Sequence, residues 1–127
     1  YNSVPKFQVH NSALRNVYAD EDFSEVIEDA KLWGRYVESA IGAHLVSQAQ
    51  IYDYKVFYWR DKKDEVDFVL LRRNKKVAIE VKSGRRTTNQ GLAVFSQLYH
   101  PHKALVVGSG GLPFEDFLSM DLNLLFK

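Results

Sequence analysis

The sequence predicts a mixed α/β domain with the element order α-β-β-β-α-β, a mixed sheet flanked by helices. Three observations carry that expectation. Apolar residues recur with a helical period from about Lys31 to Gln50. Three strand-like stretches joined by short polar turns follow. A helix and a short apolar strand then return the chain to the sheet. With 127 residues the chain is long enough for one domain with a single core.

In the first helix Trp33, Val37, Ile41 and His44 or Leu45 form the apolar stripe. Beside it Gly34, Glu38 and Gly42 follow one another at i+4, and two glycines inside a helix imply a close approach to another element. Tyr54 to Arg60 is aromatic and β-branched, Asp61 to Asp64 is a polar turn, and Glu65 to Arg72 and Lys76 to Lys82 complete an antiparallel meander. After Gly84, Thr87 or Thr88 caps a helix with Leu92, Phe95 and Leu98 on one face, which stops before Pro101. Ala104 to Val107 reads as a strand buried on both faces and, by the handedness of crossovers, parallel to its partner. Pro113 to Met120 reads as a last helical turn or two. Residues 1–30 are set apart as an N-terminal extension, with a strand at Lys6 to His10 and a short helix from about Ala13, and 31–127 as the domain. The chain begins at Tyr1 rather than methionine, so a piece of a longer protein is expected.

Composition narrows the functions. Hydrophobic residues at 46% exclude a disordered chain, and no apolar run is long enough to span a bilayer, so the expected location is the cytoplasm. The absence of cysteine excludes disulfides, thiolate metal sites and a cysteine nucleophile. A net charge of +1 does not describe a bulk nucleic-acid binder, but its distribution is uneven. Acids concentrate between Asp20 and Asp29, and bases between Lys62 and Arg86, which permits a local phosphate-binding face.

The chemistry is concentrated in VDFVLLRRNKKVAIEVKS, Val66 to Ser83, where Asp67, Glu80 and Lys82 interrupt two apolar strands. Burying a charge is costly unless it is paired or bound to a metal. Strand alternation puts Glu80 and Lys82 on one face, and a two-residue turn of either Arg73-Asn74 or Asn74-Lys75 brings Asp67 opposite one of them, so all three are expected on the same face. Two carboxylates at close range repel unless a cation lies between them. Lys82 as a structural ion pair answers that need, and so does a hard divalent ion.

Asp67, twelve intervening residues, then Glu80-Val81-Lys82, preceded by a helix carrying Glu38, resembles the PD-(D/E)XK nuclease superfamily, restriction-endonuclease-like folds whose core has this same order. The resemblance implies that Asp67 and Glu80 bind Mg²⁺ or Mn²⁺ with the main-chain carbonyl of Val81. It implies that Glu38 completes the shell directly or through water, and that Lys82 orients the attacking water. Val66 stands where the pattern has proline. Almost the whole chain, in GRYVESAIGAHL, VFYWRDKKDEVDFVL, AIEVKSG and LPFEDFL, is also similar to the C-terminal domain of unknown function of prokaryotic AAA+-type ATPases. That similarity implies an ATPase part as partner in the same protein. No G-x-x-x-x-G-K-[ST] occurs, so ATP binding is not expected of this fragment.

The expected function is thus a metal-dependent nuclease domain hydrolysing DNA, with Arg72, Arg73, Lys75, Arg85 and Arg86 as backbone-phosphate contacts. The alternative is a catalytically inactive module that binds DNA or a protein and regulates the attached ATPase. His44 reads as a packed core histidine, and Tyr54, Tyr58 and Trp59 as core aromatics rather than stacking surfaces.

Overall fold

A computed structural model describes residues 6–9, 30–84 and 90–127. In chain order they form β1 (Lys6–Val9), α1 (Ala30–Tyr52), β2 (Lys55–Asp61), β3 (Asp64–Arg72), β4 (Lys75–Lys82), α2 (Gln90–Tyr99), β5 (Lys103–Gly108), α3 (Phe114–Ser119) and a closing 3₁₀ helix (Leu122–Phe126). The strands make one sheet in the order β1-β2-β3-β4-β5, antiparallel except for the last pair. The α-β-β-β-α-β core is the one the sequence predicts. β1, from the segment set apart as an extension, adds a strand beside β2.

Each face of the sheet carries a core. On one side Val37, Ile41 and Leu45 of α1 pack on Val56, Phe68, Leu70, Val77 and Ile79, together with Phe117 of α3. On the other, Leu92 and Phe95 of α2 pack on Trp59, Val66, Val69 and Ala78. Val77, Ala78 and Ile79 are consequently buried in succession, as a central strand covered on both faces requires. His44 packs edge-on against Phe117, with ring centroids 6.2 Å apart, and burial lowers its proton affinity.

α1 ends in a tight cap. Asp53 takes a left-handed conformation (φ 57°), and the Tyr54 N–H donates to the Ala49 carbonyl at 3.0 Å. Tyr54 therefore closes the helix rather than opening the strand, and its hydroxyl donates to the Leu45 carbonyl at 2.6 Å.

The structure departs from the sequence reading at three points. The apolar face of α2 runs through Leu92, Phe95 and Tyr99, while Leu98 is exposed; the helix turns Tyr99 onto the Trp59–Phe95 aromatic cluster instead. β5 meets both cores, through Leu105 and Val107 on one face and Val106 on the other, but is buried less than expected. It lies outermost among the described strands and only Val107 is fully buried. The loop after β5 folds back along it: Leu112 N–H donates to the Val106 carbonyl at 2.9 Å and Gly108 N–H to the Leu112 carbonyl at 2.7 Å. Finally, the sequence reading assigns no element after Met120, yet Leu122, Leu125 and Phe126 of the closing 3₁₀ helix enter the α1-side core.

That helix is held by cations. Lys75 Nζ donates to the Phe126 carbonyl at 2.6 Å and Lys103 Nζ to the Leu124 carbonyl at 2.7 Å. Arg72 donates to the Tyr52 carbonyl and, at 2.9 Å, to Asn123 Oδ1, with its guanidinium 4.2 Å over the Phe126 ring. Cations belong at carbonyl ends, where the helix dipole is negative.

Two stability predictions follow from these contacts. Asp53→Gly removes the left-handed strain and is expected to raise stability by about 1 kcal/mol. Arg72→Met is expected to lower it by about 2–3 kcal/mol, because the ring contact and the hydrogen bonds of a charged donor are lost together. Denaturant midpoints at constant m-value measure both.

Candidate functional site

The turn between β3 and β4 is Arg73-Asn74, with Arg72 opposite Lys75, the first of the two registers considered from sequence. The paired ladder runs from there to Phe68↔Ile79 and stops. One residue further on each strand stand Asp67 and Glu80. Across from them, β2 pairs Phe57 with Val69 but Trp59 with Val66, so Asp67 and Phe68 together oppose Tyr58 alone. This is a β-bulge on β3 at the aspartate.

The bulge corrects the expectation that Asp67, Glu80 and Lys82 share one face by simple alternation. Val66 belongs to the α2-side core and Phe68 to the α1-side core, with the extra residue between them. Asp67 lines a cleft of about 270 Å³ on the α1 side with Glu38, Tyr58 and Arg60. Glu80 and Lys82 line another, of about 320 Å³, on the α2 side with Lys63, Gln90 and Gly91. The groups nevertheless meet, because the unpaired strand ends leave the sheet open between the clefts. The Val81 N–H, without a ladder partner there, donates to Asp67 Oδ2 at 2.8 Å, and the Asp67 N–H donates to the Glu80 carboxylate.

The proximity shifts the proton affinities of the acids. Burial, then the charges of Glu38 and Glu80, push Asp67 up to about 8, against a lowering by the Val81 hydrogen bond. Glu38 is raised by burial, then by Glu65 and Glu80. Glu80 is raised by burial despite Lys82 and the Asp67 N–H, which act to lower it. Lys82 Nζ lies 3.6 Å from Glu80 Oε2, whereas Glu80 Oε1 is buried without a hydrogen-bond partner among the described residues. Among the described residues no three His, Cys, Asp or Glu side chains are arranged to hold a metal ion.

Two close approaches set the frame. A Cβ on Gly34 would lie 2.9 Å from Ser83 Oγ, so the glycine beside Glu38 lets α1 descend onto the end of β4. A Cβ on Gly91 would lie 2.1 Å from the Glu65 carbonyl oxygen, so α2 begins pressed against the backbone of β3.

The structure thus brings together Glu38, Asp67, Glu80 and Lys82, with Val81 contributing main chain. It adds Glu65, which sequence reasoning passed over. Glu65 lines both clefts, raises the proton affinity of all three other acids and pairs with Arg60 at 3.8 Å. Its position two residues before Asp67 was the available signal. Arg72, Arg73 and Lys75 stand at the other end of the hairpin, roughly 17 Å along the strands from the acids. There Arg72 and Lys75 hold main-chain carbonyls, and Arg73 is exposed in a left-handed conformation (φ 54°). Arg85 and Arg86 lie outside the described residues. Tyr54 and Trp59 pack in the cores as expected, but Tyr58 lines the Asp67 cleft.

Fold and site define a class: a layered α/β domain that gathers carboxylates at an open sheet end. The chain belongs to the family described as "Domain of unknown function (DUF4143)", which matches residues 33–120. Neither the comparison with curated proteins nor that with solved structures gave a match. No helix among the described residues is long and apolar enough to cross a membrane.

Asp67 keeps its proton to about pH 8 when folded but only to about 3.8 otherwise, so the native state binds more protons across that window. Stability without added metal is therefore expected to fall as pH rises from 5 to 8. Asp67→Asn keeps an acceptor for the Val81 N–H, and is expected to flatten that slope and to melt higher than wild type at pH 8. Thermal denaturation across the pH series reads both effects.

Proposed function

We propose that this domain is a metal-dependent nuclease that hydrolyses DNA phosphodiester bonds with a PD-(D/E)XK-type site. The observation that supports the reading best is the meeting of Glu38, Asp67, Glu80 and Lys82 where β3 and β4 separate. A lysine beside Glu80 alone leaves the other two largely buried carboxylates without a cation, and the raised proton affinities of the acids reflect that.

A divalent cation fits the donor set. Mg²⁺ is commonly held by one or two carboxylates and keeps its remaining positions for water and phosphate, so a preformed cage of three side chains is not required. Asp67 and Glu80 would hold the ion, using the unpartnered Glu80 Oε1, with the Val81 carbonyl and Glu38, directly or through water, in support. When bound, the cation supplies Lewis-acid polarisation and a more acidic water. Lys82 positions the attacking water and offsets the negative charge that develops on the phosphorane-like transition state. The attached AAA+-type ATPase belongs to the same proposal, as the part that delivers or moves the DNA.

The Lys82–Glu80 pair supports a second reading, since it partly neutralises the site without metal. In that case the domain is an inactive nuclease-fold module that binds DNA or a protein and regulates the ATPase.

Nicking of supercoiled DNA in Mg²⁺ or Mn²⁺ separates the two. Asp67→Asn and Lys82→Ala are each expected to slow nicking by roughly 100-fold or more. Nicking by wild type no faster than by these variants would leave only the module. Independently, Mn²⁺ at pH 8 is expected to raise the melting temperature of wild type but not of Glu80→Gln, by mass action on the folded state.

A further inference from the structure

Arg60 was not among the cations expected to contact DNA, yet it lines the α1-side cleft with the acids. It projects from β2 on the same face as Tyr58, two residues away, and lines the cleft that Glu38 and Asp67 share. The lysines of the site, Lys63 and Lys82, line the other cleft. A phosphodiester approaching Asp67 along the α1 side meets three carboxylates, those of Glu38, Glu65 and Asp67. Without a cation at that mouth, the anion is repelled.

Arg60 suits the task. Its guanidinium is always charged, and its planar fork matches two phosphate oxygens. Its present partner is Glu65, the cross-strand neighbour. The bond is loose: Arg60 Nε and Glu65 Oε2 are 3.8 Å apart, with the side chains 61% and 58% exposed. A pair of that kind contributes little and is readily exchanged for a better ligand. Glu65 in turn lies near enough to raise Glu38, Asp67 and Glu80, so an unmasked Glu65 adds to the repulsion of any anion.

Resting on the nuclease reading above, we infer that Arg60 is the phosphate-binding residue of the α1-side cleft, held by Glu65 until a DNA backbone phosphate takes its place. Glu65 thereby sets a threshold for DNA binding.

Fluorescence anisotropy with a labelled DNA oligonucleotide, in Ca²⁺ to hold the complex without turnover, tests this directly. Arg60→Gln is expected to weaken binding roughly tenfold and to reduce the salt slope by about one, the signature of one lost phosphate contact. Arg60→Lys restores most of the slope. Glu65→Gln tightens binding in the presence of Arg60, and this gain shrinks in the Arg60→Gln background, as coupled residues require. An unchanged slope in Arg60→Gln, or an equal gain from Glu65→Gln in both backgrounds, overturns the inference. If wild type nicks DNA in an Asp67-dependent way while Arg60→Gln keeps the same KM, this inference alone fails. If wild type neither binds nor nicks DNA, both readings fail together.

Discussion

The point on which the rest of the site depends is the end of the β3–β4 ladder. Beyond Phe68↔Ile79 the strands no longer pair, and the Val81 N–H is left needing an acceptor. Asp67 provides one. The bulge opposite Tyr58 is what turns it toward that N–H. From that place one carboxylate feels Glu38 on one side of the sheet and Glu80 on the other. The site is therefore a gap in a sheet rather than a pit on its surface.

Holding that gap open requires rigidity on both sides. Two cores clamp the paired parts of β3 and β4, so the strands separate at a defined residue rather than fraying gradually. At the opposite end of the hairpin, Arg72 and Lys75 lock the closing 3₁₀ helix against α1 and the sheet. The same stretch of chain thus places its acids at one end, where they destabilise, and its structural cations at the other, where they stabilise.

Much of the architecture was legible because periodicity reports burial. Val37, Ile41 and Leu45 announced the α1 stripe, and the three strands with their polar turns announced the meander. Asp67, Glu80 and Lys82 were legible as charges misplaced in apolar strands, and Glu38 as an acid flanked by two glycines on its helix row. Three things were not. A bulge adds one residue without any compositional mark, so alternation alone assigned Asp67 to the wrong face. Glu65 and Arg60 look like ordinary surface charges until the register sets them across from each other. Leu122, Leu125 and Phe126 stand at i, i+3 and i+4, but a single helical turn at the end of the chain is too brief a run to register as an element.

The loop that folds back along β5 bears on solution behaviour. An outermost strand offers unpaired main-chain groups on which another chain can build, and short guarded edges are how soluble domains avoid growing into sheets of many copies. Here Leu112 occupies the Val106 carbonyl, while Lys103 is engaged at the strand's other end. The cover is thin: it depends on Gly111 passing so near that a Cβ there would lie 2.2 Å from the Val106 carbonyl oxygen. A side chain at that single position lifts the loop and turns a closed edge into a template for aggregation, with the carboxylate gap untouched.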